Sequence, residues 1–282
     1  MMIVIGLIVV VVSVIGGFMV SGGHLGILFQ PGEYIIILGA VMGSFFGSQT
    51  KYTFGLILKS IKHIFGDPAM SKTRYLETLA LMYALFVKMQ REGVISIEGD
   101  IERPESSGIF GKYPAISRNR VLVNFVADTL RVYLTTGSAD DIDSLMKEDL
   151  ETMHEEELLP AHAIEKMAES LPGMGIVAAV LGVVLTMGQI NEPPEVLGHH
   201  IGAALIGTFI GILFCYGIFG PMGAKLDNSA VETHMYYNSV MEAVAAAIRG
   251  STPIIAVEYG RRAIPLAFRP TFLEMEERLK SG

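Results

Sequence analysis

The side chains that most often carry out chemistry in proteins are sparse in this sequence, and their spacing forms no catalytic or metal site. Its seven histidines are scattered, and the adjacent pair, His199 and His200, would point about 100° apart on a helix and chelate a metal poorly. The single cysteine, Cys215, excludes a disulfide framework and a multi-cysteine metal site. The sequence contains no phosphate-binding loop, dinucleotide-binding motif or hydrolase signature. We therefore predict that the protein is not an enzyme and binds no cofactor or metal.

Four apolar runs, at residues 3–20, 33–50, 173–190 and 201–223, are long enough to cross a bilayer, which takes roughly 20 residues. Hydrophobic residues occupy 51% of the 282 positions, and the mean hydropathy is +0.47. Charged residues occupy 18%, against about a quarter in soluble proteins. The net charge of −8 gives no support for binding to nucleic acid. We predict an all-α integral membrane protein with four transmembrane helices and a large helical cytoplasmic domain.

The positions of the basic residues predict the orientation in the membrane. All 21 Lys and Arg residues lie in 51–171 and 225–282, so the short connections at 21–32 and 191–200 carry none. By the positive-inside rule these connections face outward, and both termini are cytoplasmic. The predicted organisation is transmembrane helices 1 and 2 in 1–50, a cytoplasmic helical domain in 51–171, transmembrane helices 3 and 4 in 172–224, and a cytoplasmic helical tail in 225–282.

The cytoplasmic segments have the apolar spacing of helices. Glycine and proline mark their ends: Gly93 and Gly137 are predicted to end the first two helices, and Pro160 to bend or interrupt the third. The predicted helices cover 73–91, 118–135, 138–170, 225–249 and 271–279.

The four apolar runs contain no Lys, Arg or Asp, and the single acid near them is Glu33, at the outer end of the second run. Transporters and proton pumps usually carry an ionisable group inside their membrane helices. If this chain moves ions, we therefore expect the protonatable group to come from another chain.

Glycines recur at four-residue spacing in the apolar runs, which lets helix backbones approach closely in a membrane. The sequence leaves open whether these glycines pack the chain's own four helices or pack against copies and partners. They are Gly39, Gly43 and Gly47, then Gly198 and Gly202, and finally Gly207 and Gly211.

Two prolines, Pro172 and Pro221, mark the cytoplasmic ends of the third and fourth runs. Pro172 is compatible with an ordinary first residue of a helix, whereas Pro221 follows a long helical run and should kink or end it. This pattern fits two interpretations: the prolines form a matched pair of hinges, or each is an ordinary proline at a helix boundary.

Longer strings resemble the MotA family of flagellar motor stator subunits, in order and across almost the whole chain. The strings are SGGHLGILFQPGEYIIILGAVMGSF at 21–45, EGDIERPESSGIFGKYP at 98–114, SLPGMGIVAAVLGVV at 170–184, IGTFIGILFCYGIFGP at 206–221, and AVEYGRRAIP with RPTFLEMEE within 256–277. The resemblance implies a bacterial inner-membrane protein, surrounded by lipid, that forms a homopentamer around a dimer of a MotB-type partner. It implies that ion flow along the interface drives rotation, that the partner supplies the ion-carrying aspartate, and that the cytoplasmic loop engages the rotor protein FliG.

The same resemblance suggests roles for individual residues. Pro172 and Pro221 match two prolines that couple ion flow to movement in the family. Glu98 matches an acid implicated in rotor contact, while the arginine paired with it in many relatives would fall at Gln90. Arg91, one position along, is the candidate substitute, although one step on a helix turns a side chain by about 100°. Without the resemblance, Glu98 and Arg91 would be read as a solvated surface pair.

The candidates for the ion path are Ala179, Thr186, Thr208 and Tyr216. By helical rise, Ala179 lies roughly 10 Å and the two threonines roughly 20 Å from the level of the prolines. Sodium-driven relatives are implied to have threonine at the position of Ala179 in addition to Thr208. Because sodium needs several oxygen ligands and a proton needs only hydrogen-bonding groups, alanine there predicts proton drive. A purely structural role, with each threonine bonded back to a carbonyl one turn earlier, stays open.

Two other classes of protein remain alternatives at this stage. ExbB/TolQ-type energisers of outer-membrane processes resemble the same superfamily, but they look like three-span chains with an outer N-terminus. A non-conducting membrane scaffold, held together by the glycine-rich faces, also fits the composition.

Overall fold

The computed structural model describes residues 2–64 and 70–280, and within these ranges the regular secondary structure is entirely helical. This confirms the prediction of an all-α fold. The α-helices are α1 (Met2–Val20), α2 (Leu25–Leu28), α3 (Pro31–Ser48), α4 (Lys51–Ile64), α5 (Lys72–Glu92), α6 (Glu98–Glu102), α7 (Pro114–Ser117), α8 (Arg120–Thr136), α9 (Ala139–Met187), α10 (Pro194–Phe214), α11 (Gly220–Ile248), α12 (Pro253–Ala263) and α13 (Phe272–Lys280). Short 3₁₀ turns cover Val94–Ile97, Pro104–Ser106 and Phe110–Lys112, and a π-helical turn covers Cys215–Phe219.

Among the described residues, four helical stretches are long and apolar enough to cross a membrane, which confirms the predicted number of spans. Two are close to the N-terminus, and the other two form part of longer helical stretches. They are Met2–Val20, Leu25–Ser48, Ala139–Met187 and Pro194–Ile248.

The chain divides into two compact units. The first unit comprises Met1–Asp67 and Glu157–Ser229, and the second comprises Pro68–Glu156 and Ala230–Gly282. The first unit therefore contains all four apolar runs, and the second contains most of the charged segments.

The core of the first unit begins on one stripe of α3. Ile37, Val41 and Phe45 are buried at four-residue spacing, and they join Ala178 of α9 and Ile210 of α10 in one apolar cluster. Residues four apart lie on the same face of a helix, so α3 presents a continuous apolar stripe to α9 and α10. By contrast, α1 has no buried residue anywhere along Met2–Val20.

The second unit has a larger core around α5, whose ends follow local sequence signals. The Ser71 side chain accepts a hydrogen bond from the Arg74 amide at 3.2 Å, which satisfies one of the free donors at the helix start. Gly93, with a φ of +89°, follows the last residue of α5, and Gly137, with a φ of +69°, follows α8. Both glycines end their helices as predicted, because residues with side chains rarely adopt positive φ.

Proline does not interrupt α9. The helix continues through Pro160 and Pro172, so Pro172 is not the first residue of a helix. At Pro160, where a bend or an interruption was predicted, the helix is not interrupted, and the bend stays a prediction. Each proline removes one backbone hydrogen bond and crowds the carbonyl four residues earlier. The remaining hydrogen bonds of this 49-residue helix preserve its α-helical course on both sides of each proline.

Two histidines of the second unit, His154 on α9 and His234 on α11, pack ring to ring with centroids 4.5 Å apart. The Nδ1 atoms of both are buried without a hydrogen-bond partner in the described part of the chain. Burial lowers the pKa of His234, the neighbouring His154 lowers it further, and Glu151 opposes the shift.

This arrangement predicts that the second unit loses stability in mild acid. A pKa below the ordinary value means that the unfolded chain binds a proton more readily, so stability is lost as pH falls through the unfolded value. We expect the thermal midpoint of the purified protein to fall more between about pH 7.5 and pH 5.5 than that of a His234→Gln variant. A His199→Gln variant is the control, and the same acid response in all three proteins would contradict the prediction.

Candidate ion path and coupling site

Helices α9 and α10 approach backbone to backbone through glycine. A Cβ placed on Gly175 would lie 2.8 Å from the carbonyl oxygen of Gly207, and one placed on Gly211 would lie 2.5 Å from that of Leu171. On Gly182, it would lie 2.7 Å from the Ala204 side chain. Gly207 and Gly211 therefore pack two helices of the same chain against each other. The sequence had left open whether they do this or contact copies and partners.

The other predicted glycines do not share this role. In the described part of the chain, a Cβ on any of them would meet nothing within 4 Å. Their faces are available for contacts outside the single chain. These glycines are Gly39, Gly43, Gly47, Gly198 and Gly202.

The side chain of Glu33 reaches this glycine-lined contact from the first turn of α3. Its Oε2 atom occupies the space that a Cβ of Gly207 would fill, and its Oε1 atom lies 3.4 Å from the corresponding position on Gly182. Gly182 is ten residues from Pro172, which is about 15 Å of helical rise. The carboxyl group therefore lies within the membrane-spanning region, and the expectation that the protonatable group comes from another chain stays a prediction.

Thr186 lies one turn beyond Gly182 on α9 and is 1% exposed. Its hydroxyl donates a hydrogen bond to the Gly182 carbonyl at 2.8 Å, which is the backbone-bonded arrangement that the sequence left open. Thr208 is half-buried beside Gly207, and Ala179 is half-buried beside the buried Ala178. The two threonines thus flank the two glycines that contact Glu33.

Tyr216 lies in the π-helical turn and is 75% exposed, so its ring does not join the threonines in the interior of the single chain. The turn itself separates α10 from α11. At its end, the Gly220 amide donates to the Cys215 carbonyl, five residues earlier. Pro221 is then the second residue of α11.

The helical stretch Pro194–Ile248 does not end at Pro221, and the predicted kink there stays a prediction. The π-helical turn places irregular backbone directly before Pro221. Such turns are frequent at functional sites. Pro172, in contrast, lies inside α9 beside the Leu171 carbonyl that contacts Gly211. The two prolines thus lie in different backbone settings, which their similar sequence positions did not reveal.

The predicted rotor-contact residues lie near the junction of α5 and α6 in the second unit. Arg91 is in the last turn of α5, Glu98 is the first residue of α6, and both are exposed, as is Gln90. Glu98 and Arg91 are therefore accessible, and the site residues of the membrane region lie in the other compact unit.

A buried acid that sequence analysis missed holds the loop after Glu98. Asp100 is 8% exposed, and its Oδ2 accepts from the Lys88 ammonium group at 2.7 Å. Its Oδ1 accepts from the Ser107 hydroxyl at 2.5 Å, and the same hydroxyl accepts from the amides of Ile109 and Phe110. The acid is part of the string EGDIERPESSGIFGKYP, but nothing in that string distinguishes it from its exposed neighbours.

Within residues 2–64 and 70–280, no group of three or more His, Cys, Asp or Glu side chains is arranged to hold a metal ion. The arrangement in the first unit instead offers one carboxyl group, two hydroxyl groups and closely packed helix backbones. Chemically, these groups can bind and pass on protons.

The fold and this site define a multi-pass α-helical membrane protein whose third and fourth spans pack through glycine around an acidic side chain. Residues 4–93 match the family model described as Motility protein A N-terminal, and residues 117–239 match the MotA/TolQ/ExbB proton channel family. The chain is 37% identical over 282 residues to Motility protein A of Salmonella typhimurium, an alignment that covers 100% of this chain and 96% of that protein. The chain belongs to the motility protein A family.

Solved structures share the fold. The structure of C. jejuni MotAB matches with a TM-score of 0.77 at 19% identity, covering 94% of this chain and 95% of that chain. The flagellar MotAB stator complex from Bacillus subtilis matches with a TM-score of 0.74 at 20% identity, covering 99% and 98%. At these identities the likeness establishes the common fold.

Proposed function

We propose that this chain is the stator subunit of a bacterial flagellar motor, which with a MotB-type partner converts proton flow into torque on the rotor. The observation that carries the proposal is the 37% identity to a motility protein A along the entire chain. The match of residues 4–93 to a motility model favours this function over TolQ- and ExbB-type energisers, because the second model, at 117–239, covers all three kinds of protein.

The proposed assembly is a homopentamer around a dimer of the partner in the inner membrane, with both termini cytoplasmic. The unburied surface of α1 supports further contacts with lipid or protein, because the whole helix is apolar. Exposed Val180, Val184 and Leu185 on the membrane-spanning part of α9 offer a similar surface. The proposed topology keeps 1–50 and 172–224 in the membrane and 51–171 and 225–282 in the cytoplasm.

The proposed coupling ion is the proton. Ala179 supplies no side-chain oxygen, and the Thr186 hydroxyl already donates to the Gly182 carbonyl. With alanine at position 179, the path lacks one of the several oxygen ligands that sodium needs, whereas hydroxyl and carboxyl groups suffice for a proton. Thr208 adds one more hydroxyl, Pro172 and Pro221 are the proposed coupling prolines, and Tyr216 is a proposed contact on the exposed face.

Contact with the rotor protein FliG is proposed for Glu98 and Arg91. Both side chains are exposed, and the ionic network of Asp100 anchors the segment that follows Glu98. Exposed charges are suited to a transient contact, because they set orientation and association rate more than affinity.

The function is tested by expressing this chain with a MotB-type partner in a motile host that lacks its own stator. We expect swimming only when both chains are present, with a speed that follows external pH and does not change with sodium at fixed pH and membrane potential. A partner whose intramembrane aspartate is replaced by asparagine is the matched control and should assemble without motility. A speed that rises with sodium would contradict proton drive, and no swimming with both chains would contradict the stator function.

A further inference from the structure

The carboxyl group of Glu33 lies in space that is open because Gly182 and Gly207, on two other helices, lack side chains. Its Oε2 atom contacts Gly207 of α10, where any Cβ would displace it, and Oε1 faces Gly182 of α9. Three helices of the first unit thus form this site. The acid belongs to α3, and glycines of α9 and α10 leave room for it.

This carboxyl group is not paired in the described part of the chain. Oε2 is buried and has no hydrogen-bond partner there. The segments 1–50 and 172–224 contain no Lys or Arg that could pair with it. An unpaired carboxylate is costly in apolar surroundings, and a proton on it removes that cost, so the site is suited to bind a proton reversibly.

The position of the group places it on the proposed ion path. Gly207 precedes Thr208, and the carbonyl of Gly182 accepts the hydrogen bond of Thr186. Glu33 belongs to the first turn of α3, directly after the outward-facing connection at 21–32. By helical rise, the carboxyl group therefore lies at about the same depth as the hydroxyl groups of Thr186 and Thr208, close to both.

We propose that Glu33 is a proton-binding site of the transport path that this chain itself supplies, in addition to the aspartate of the partner. A carboxylate oxygen of Glu33 takes a proton from a hydronium ion of the outer solution and releases water. The same proton then passes to the carboxylate of the partner, which regenerates the Glu33 carboxylate. Gly207 is a positioning residue, because it admits the carboxyl group to this place. The inference rests on the proposed function.

The first measurement detects the bound proton directly and does not depend on transport. A hydrophobic carbodiimide reacts with protonated carboxyl groups buried in membranes, so it should label Glu33 in the complex of this chain with its MotB-type partner. Mass spectrometry of this chain identifies the label, and labelling should slow as the external pH is raised. The exposed Glu195, at the start of α10, is the internal control and should remain unlabelled. Absence of label at Glu33 would overturn the proposal.

The second measurement separates proton transfer from packing. Glu33→Gln keeps the shape and hydrogen-bonding capacity of the side chain but cannot release a proton, and Glu33→Asp keeps the acid. We expect proton flux through the vesicle-reconstituted complex to fall roughly a hundredfold in Glu33→Gln, the lower end of what a positioned proton-transfer group contributes. Glu33→Asp should retain part of the flux, and Glu195→Gln should match the parent protein.

The outcomes distinguish the inference from the proposed function. Parental flux in Glu33→Gln at every external pH would leave the stator function standing and overturn the role of Glu33. No proton flux through the parent complex would contradict the proposed function, while the carbodiimide label would still report whether Glu33 binds a proton. If Glu33→Gln fails to assemble, the carbodiimide label on Glu33 and the proton flux of Glu33→Asp decide whether Glu33 binds and transfers a proton.

Discussion

Replacing Gly211 by alanine is expected to abolish swimming and to lower the yield of folded protein. The new Cβ would lie 2.5 Å from the Leu171 carbonyl oxygen and 3.1 Å from the Gly175 Cα, so backbone atoms of α9 would have to move. Overpacking of this kind costs roughly 1–3 kcal/mol, and here the displaced atoms adjoin Pro172. Swimming in the stator-lacking host and thermal unfolding of the purified chain measure the two effects.

The matched control is Gly43→Ala on α3, where a Cβ would meet nothing within 4 Å in the described part of the chain. We expect the thermal midpoint of this variant to equal or slightly exceed that of the parent, because alanine favours a helix interior over glycine. A Gly211→Ala chain as stable and as motile as the Gly43→Ala chain would contradict close packing of α9 on α10. A Gly43→Ala chain that is stable but fails to assemble would instead identify Gly43 as a contact between subunits.

Replacing Asp100 by alanine is expected to destabilise the second unit by about 1–3 kcal/mol, because the change leaves the Lys88 ammonium group without its hydrogen-bond partner. It also removes the acceptor of the Ser107 hydroxyl, which in turn binds two loop amides. Since this loop follows Glu98, swimming should fall along with stability. Thermal unfolding of the purified chain and swimming speed provide the two measurements.

Glu102→Ala is the control for this prediction. Glu102 pairs with Arg131 on the surface, where both side chains are about half exposed, and such pairs contribute about 0–1 kcal/mol. Equal destabilisation by Asp100→Ala and Glu102→Ala would show that the buried network does not hold the loop. Loss of swimming in Asp100→Ala at unchanged stability would instead point to a direct contact of Asp100 with the rotor.

Sequence analysis predicted the helices of this protein well because their signals are local. Hydropathy located the four spans, and Gly93 and Gly137 located the ends of α5 and α8. It missed the amphipathic helix α4, which buries Ile57 and Ile64 directly after the second span. At Pro160, where a bend or an interruption was predicted, the helix is not interrupted, because proline propensity is a local tendency and the long helix on both sides outweighs it.

The candidate site was harder to predict from the sequence, because its geometry depends on residues that are far apart along the chain. Spacing identified Gly207 and Gly211 as small surfaces, but only the packing of α9 on α10 shows which backbone atoms they meet. Asp100 is one of several acids in its segment, and burial alone separates it from exposed Glu98 and Glu102. The resemblance to the MotA family supplied the prolines and the rotor residues, and their roles remain predictions.

By itself, the sequence determined that this is a four-span helical membrane protein, because a bilayer core accepts only apolar runs of sufficient length. It also determined which family the chain resembles, through strings spread along its length. The tertiary structure alone decided that Glu33 reaches Gly182 and Gly207, and that a π-helical turn precedes Pro221. The physical reason is that hydropathy and helix termination depend on residues that are neighbours along the chain. The space for the Glu33 carboxyl group depends instead on glycines in two other helices.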